Sequence, residues 1–187
     1  PQLGLANGRM GAGEALLRWN SPEHGDIPPS QFFPLAEESG LIVSIGEWVL
    51  REACNTLADW RREGIDNVLM SVNVSAVQLL RSDLAQTVQH VLRETGVPAN
   101  QLELELTESV LVHDMDDAVD KMRALHAMGV RLSLDDFGAG YSSLSYLREL
   151  PFAEMKIDRA FTREIVRDPH AARSAAISGS GAAAAGS

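Results

Sequence analysis

The chain has 187 residues, 45% of them hydrophobic, which is enough for one globular domain to bury a substantial core. Its 26 acidic side chains outnumber 16 basic ones, and the formal charge of -10 excludes a broad surface for nucleic-acid polymers or anionic membranes. No run approaches the roughly 18 apolar residues of a membrane span, no signal peptide is visible, and the single Cys54 cannot form an internal disulfide. A reducing, cytoplasmic setting without direct membrane contact follows, although the parent protein could itself be membrane-anchored.

In chain order, strand-like segments and helical patterns alternate. A strand is expected over residues 14–19. A helix is expected from Ser44, where Ser44 and Glu47 have capping-box spacing; Ile45, Trp48, Val49, Ala53 and Leu57 form its apolar face, and Gly64 ends it. A strand over 68–74 precedes a second helix carrying Leu84, Val88, Val91 and Leu92 before Gly96. A strand over 102–106 precedes a third, with Val119, Met122 and Leu125 before Gly129. Strands over 130–134 and 154–157 follow. βα units at this spacing favour a parallel sheet, open or closed into a barrel.

Strand parity says where the polar groups point. Glu103 and Glu105 lie opposite the leucines of 102–106, and Ser133 and Asp135 lie opposite Leu132 and Leu134. The leucines suit a surrounding helical layer, so the acids face inward. Asn73 between Val72 and Val74, and Lys156 between Met155 and Ile157, repeat the pattern. Acidic runs at 14–16 (EAL), 105–109 (ELTES) and 135–138 (DDFG) therefore gather at the C-terminal rim, where barrel enzymes place their chemistry. So many acids at one rim call for a cation, and oxygen donors without His or Cys suit Mg²⁺ or Mn²⁺.

Each residue also has a plainer reading. Glu14 could pair with Arg18, Asn73 could bond backbone at a strand end, Asp135 and Asp136 could cap a helix or a turn, and Lys156 could pair with Asp158. Their joint occurrence favours the metal site. His24, His90, His113, His126 and His170 follow no ligand spacing, and Trp48 and Trp60 read as helix core.

Six segments in order, EALLRW (14–19), PPSQFFPLAEESGLIVSIGEWVL (28–50), SVNVSAVQL (71–79), LELELTES (102–109), LSLDDFGAGYSSLSYL (132–147) and LPFAEMKIDRAF (150–161), resemble the signatures of the EAL domain, the bacterial cyclic di-GMP phosphodiesterase. The resemblance implies an α/β fold, a TIM-like (β/α) barrel with an antiparallel first strand. It implies hydrolysis of cyclic di-GMP to linear pGpG with two divalent cations, Mg²⁺ or Mn²⁺. By motif, Glu14, Asn73, Glu105, Asp135 and Asp136 would bind metal, with Asp135 shared between the ions. Lys156 would contact the attacking water, acting with Glu14 and Asp135 in catalysis. Arg18 would bind a substrate phosphate, and Glu108 would anchor the loop carrying Asp136. Sensor or GGDEF domains in the parent protein and a homodimer are implied as partners. A module that binds cyclic di-GMP without cutting it, or an inert fragment, is the alternative.

The matching domain spans 1–170, with Ala139 where the family has Thr. Over 171–187 only Arg173 and Ile177 interrupt an Ala/Ser/Gly tail, and the family's last two strands, with a Glu that works at the second metal, are not matched. The expectation is a barrel incomplete at its C-terminal end, with exposed sheet edges and little turnover by this segment alone.

Overall fold

Alternating strands and helices give β2 (Met10–Ala15), β5 (Leu69–Val74), β6 (Leu102–Thr107), β7 (Arg131–Phe137) and β8 (Glu154–Ile157), which form one parallel sheet in that order. At its edge β1 (Gln2–Leu3) pairs antiparallel with β2, as the resemblance implied. The computed structural model describes residues 2–3, 10–107, 109–110, 115–137, 152 and 154–157, with side chains for 11–107, 109–110, 115–135 and 152. Residues 171–187 lie outside the described part.

Between β2 and β5 the chain inserts a hairpin, β3 (Trp19–Ser21) with β4 (Gly25–Ile27), then α1 (Pro29–Ser39) and α2 (Leu41–Arg62). The strand expected over 14–19 is thus two: β2 stops at Ala15 and Trp19 opens the hairpin. The helix expected from Ser44 starts earlier. Gly40, at φ 76°, closes α1 and opens α2, so the left-handed turn makes the boundary and Ser44 lies inside the helix. The buried face is Ile42, Gly46, Leu50, Ala53, Cys54 and Leu57, which keeps the expected Ala53 and Leu57 but not Ile45, Trp48 and Val49. Trp48, expected in the core, is 55% exposed. Trp60 is partly buried against the core, as expected.

The capping box sits elsewhere. After β5, Ser75 accepts from the Gln78 amide at 3.2 Å while Gln78 Oε1 accepts from the Ser75 amide at 3.0 Å, starting α3 (Ala76–Arg81). Next, α4 (Leu84–Thr95) ends on Gly96 at φ 68°, and α5 (Met115–Ala127) presents Ala118, Met122 and Leu125 to the core. Leu104, Leu106, Leu132 and Leu134 are wholly buried on the helix-facing side of β6 and β7, while Glu103 and Glu105 are each only 2% exposed on the other. Burial on both faces is the mark of a parallel strand within a βα fold.

Candidate functional site

Strand register aligns the polar side chains on successive rungs across the sheet, because residues paired across neighbouring strands share one face. On the lowest rung Glu14, Ser71, Glu103 and Arg131 follow one another across β2, β5, β6 and β7. Two residues further along, Asn73, Glu105, Ser133 and Glu154 are register partners across β5, β6, β7 and β8. Above them Thr107 pairs with Asp135.

The rungs are joined at the rim. Asn73 Nδ2 donates to Glu14 Oε1 at 2.9 Å, so the amide nitrogen is committed to the carboxylate and its oxygen is left for another partner. The plainer pairing of Glu14 with Arg18 is not formed. Arg18 lies in the stretch between β2 and β3 and donates to the Leu17 carbonyl at 2.9 Å. There Arg18, Asn73 and Gln78 line one wall of a cavity of about 200 Å³, and Glu14 lines a second of about 460 Å³ with Arg18, Trp48 and Glu52.

Below, Ser71 Oγ donates to Glu103 Oε1 at 2.8 Å, and Arg131 Nε stands 3.6 Å from Glu103 Oε2. This buried carboxylate has its countercharge within the sheet. Sequence reasoning placed Glu103 inward but gave it no role, and overlooked Ser71 and Arg131. The same two-residue alternation that picked out Asn73 and Glu105 reaches Ser71 and Glu103 one step lower.

On β7 the ladder slips. Leu134 pairs with Met155 and Phe137 with Ile157, so Asp135 and Asp136 together face the single position Lys156, a β-bulge in backbone terms. Three of the sequence-predicted residues therefore meet at one point of the β7–β8 ladder. The side chains of Asp136 and Lys156, and all of Glu108, lie outside the described part.

The donor set fits a hard divalent ion: carboxylate and amide oxygens from four adjoining strands, with neither imidazole nor thiolate among them. Ser133 Oγ, buried in the same wall, has no hydrogen-bond partner. Among the described residues no three His, Cys, Asp or Glu side chains surround a single point. Glu14 and Asp135 stand three strands apart, about 14 Å along a flat sheet, so ion binding must draw on the curvature of the sheet and on neighbours such as Asp136.

Residues 1–180 match the EAL domain family. The chain belongs to the EAL domain family. Among relatives of the EAL domain described here is the bifunctional diguanylate cyclase/cyclic di-GMP phosphodiesterase MucR of Pseudomonas aeruginosa, 47% identical over 168 residues, which are 90% of this chain and 24% of that protein. The cyclic di-GMP phosphodiesterase NbdA of the same organism is 42% identical over 165 residues, 88% of this chain and 21% of that protein. The chain thus spans about a quarter of the length of these relatives. A solved structure described as the PaMucR phosphodiesterase in complex with c-di-GMP superposes with a TM-score of 0.80 at 47% identity, covering 89% of this chain and 68% of that one. The fold is accordingly the α/β, TIM-like barrel of EAL domains. Among the described residues no helix is long and apolar enough to cross a membrane.

Proposed function

We propose that this EAL domain hydrolyses one phosphodiester of cyclic di-GMP to linear pGpG with two divalent cations, Mg²⁺ or Mn²⁺. The observation that carries this reading is the bond between Asn73 and Glu14 on the rim beside Glu105, which lines up oxygen donors at the mouth of a phosphodiesterase-like barrel. Glu14, Asn73, Glu105, Asp135 and Asp136 are the residues to hold the cations. When bound, such ions neutralise phosphoryl oxygens and lower the pKa of a coordinated water.

This chain's own groups bind and orient. Asn73 fixes Glu14 by a neutral hydrogen bond, so the carboxylate keeps its full charge for a cation. Arg18 is set beside the cavity that adjoins Asn73, where its guanidinium takes a substrate phosphate. Lys156 on β8 holds the attacking water, and Glu108 anchors the loop after β7. Beneath the rim the Glu103 carboxylate has the Arg131 guanidinium 3.6 Å away, so its charge is balanced within the sheet.

The parent protein carries sensor or GGDEF domains, acts as a homodimer and works in the cytoplasm. The second reading, a receptor that binds the dinucleotide without cutting it, is separated by calorimetry. Binding in both Ca²⁺ and Mg²⁺ with cleavage in Mg²⁺ alone marks the enzyme; intact ligand in both marks the receptor.

A further inference from the structure

Gln78 is only 4% exposed, yet just one end of its side-chain amide is used. Its Oε1 accepts from the Ser75 amide at 3.0 Å, and a backbone N–H can be received only by the carbonyl oxygen, so the cap decides which way round the side chain sits. Nε2 therefore points towards Gly46 of α2, where only glycine leaves room, since a Cβ there would overlap it. The other hydrogen bonds of Gln78 run through its backbone to Ser75 and Ser82. Nε2 is thus a nearly buried donor held in a fixed direction, without an acceptor among the described residues.

Gly46 and Gln78 both line the cavity of about 200 Å³ that adjoins Arg18 and Asn73. Pockets for whole ligands run from about 300 to 1,000 Å³, so this one has room for one group of a larger molecule. Phe33, Ile45 and Val49 make its walls largely apolar. An anion would give up its hydration there at a cost, whereas a flat heterocycle with an acceptor on its edge suits apolar walls and a neutral donor.

Resting on the cyclic di-GMP reading above, we propose that Gln78 is a specificity-determining residue. Its Nε2 donates to the O6 carbonyl of one guanine seated in this cavity, while Arg18 beside it takes the phosphate. Adenine carries an amino group, itself a donor, where guanine has O6. Because the Ser75 cap keeps the amide from turning over, the site cannot offer adenine an acceptor instead.

The test is calorimetry of cyclic di-GMP and cyclic di-AMP in Ca²⁺, with melting curves, for the protein that carries this chain, native or Gln78→Glu. Glutamate keeps an oxygen for the Ser75 cap and puts an acceptor where Nε2 was. The native protein is expected to prefer cyclic di-GMP by at least about 10-fold. Gln78→Glu is expected to melt as the native protein does, and to lose at least about 10-fold of that preference. Native binding of both dinucleotides with equal affinity overturns the proposal, as does an unchanged preference in Gln78→Glu. An equal loss for both ligands also overturns it, because the amide would then serve the shared phosphate. Should Gln78→Glu fail to fold, Gly46→Ala, whose Cβ displaces the same nitrogen, is read by the same ratio of affinities, and a native ratio there overturns the proposal. A native protein that binds neither dinucleotide removes the cyclic di-GMP reading itself, a failure distinct from the others.

Discussion

Asn73 and Glu14, 59 positions apart in sequence, meet at 2.9 Å where β5 and β2 end side by side, with the amide donating to the carboxylate. The two residues are offset by one rung, since Glu14 pairs in register with Ser71. The bond therefore runs diagonally along the rim. Asn73→Asp replaces the donor with a second carboxylate at this distance. Two exposed like charges repel by about 1 kcal/mol, so the variant is expected to melt below the native chain without divalent ions. Added Mn²⁺ should close the gap. Melting curves with and without the ion check it, and a gap unchanged by Mn²⁺ would count against a cation at this rim.

Gly46 faces Gln78 so closely that a Cβ there would overlap Gln78 Nε2. Gln78 is not free to swing away, because its Oε1 caps the Ser75 amide at the start of α3. Gly46→Ala is expected to lower stability by about 1–3 kcal/mol through overpacking and loss of that cap. Urea unfolding measures it; an unchanged midpoint would show that the side chain finds another place.

Arg131 offsets the buried Glu103 from a position that is itself 45% exposed. Removing it as Arg131→Ala leaves the carboxylate with Ser71 alone. The expected loss is about 1–3 kcal/mol, below that of a fully buried ion pair, because solvent already screens the guanidinium. Arg131→Lys, which restores the charge, should recover part of it in the same unfolding assay.

Cys54 is wholly buried in α2, and burial pushes its thiol from an ordinary value near 9.0 up to about 11. The folded chain therefore holds the thiol proton across a range in which the unfolded chain releases it. Stability should fall by about 1.4 kcal/mol per pH unit as pH rises from about 9 toward 11. Comparing the pH slope of urea midpoints for the native chain and Cys54→Ala isolates this contribution. Equal slopes would mean that the thiol does not carry it.

The sequence was most readable where backbone geometry alone decides direction. In Leu102–Thr107 the alternation of leucine and glutamate fixes which side chains share a face, and the leucines are found on one buried face and both glutamates on the other. The ends of β8 were also set correctly, because apolar Met155 and Ile157 bracket a lone charge. Readability failed where apolar residues continue past the end of an element. Leu16 and Trp19 extend the strand pattern beyond Ala15, yet both are about half exposed, and Trp19 packs edge-on against Phe32 of α1 instead of entering the sheet. At Gly40 the helix boundary depends on a left-handed backbone turn, a signal weaker in sequence than the Ser44–Glu47 spacing that imitates a cap. The bulge opposite Lys156 was invisible for the same reason: it is a slip in pairing, and no residue type announces it. Asn73 with Glu14 was readable as a set of residue types, but the diagonal bond joining them emerged only from the register of β2 on β5.

The most direct test of the central claim is chromatography of cyclic di-GMP incubated with Mn²⁺ and the protein that carries this chain, native or Glu14→Gln. The expected result is linear pGpG from the native protein, none when the ion is chelated, and a loss of at least about 100-fold in Glu14→Gln, as for removal of a group that holds charge in the transition state. Undiminished turnover in Glu14→Gln, or cyclic di-GMP bound and returned intact by the native protein with Mn²⁺ present, would contradict it.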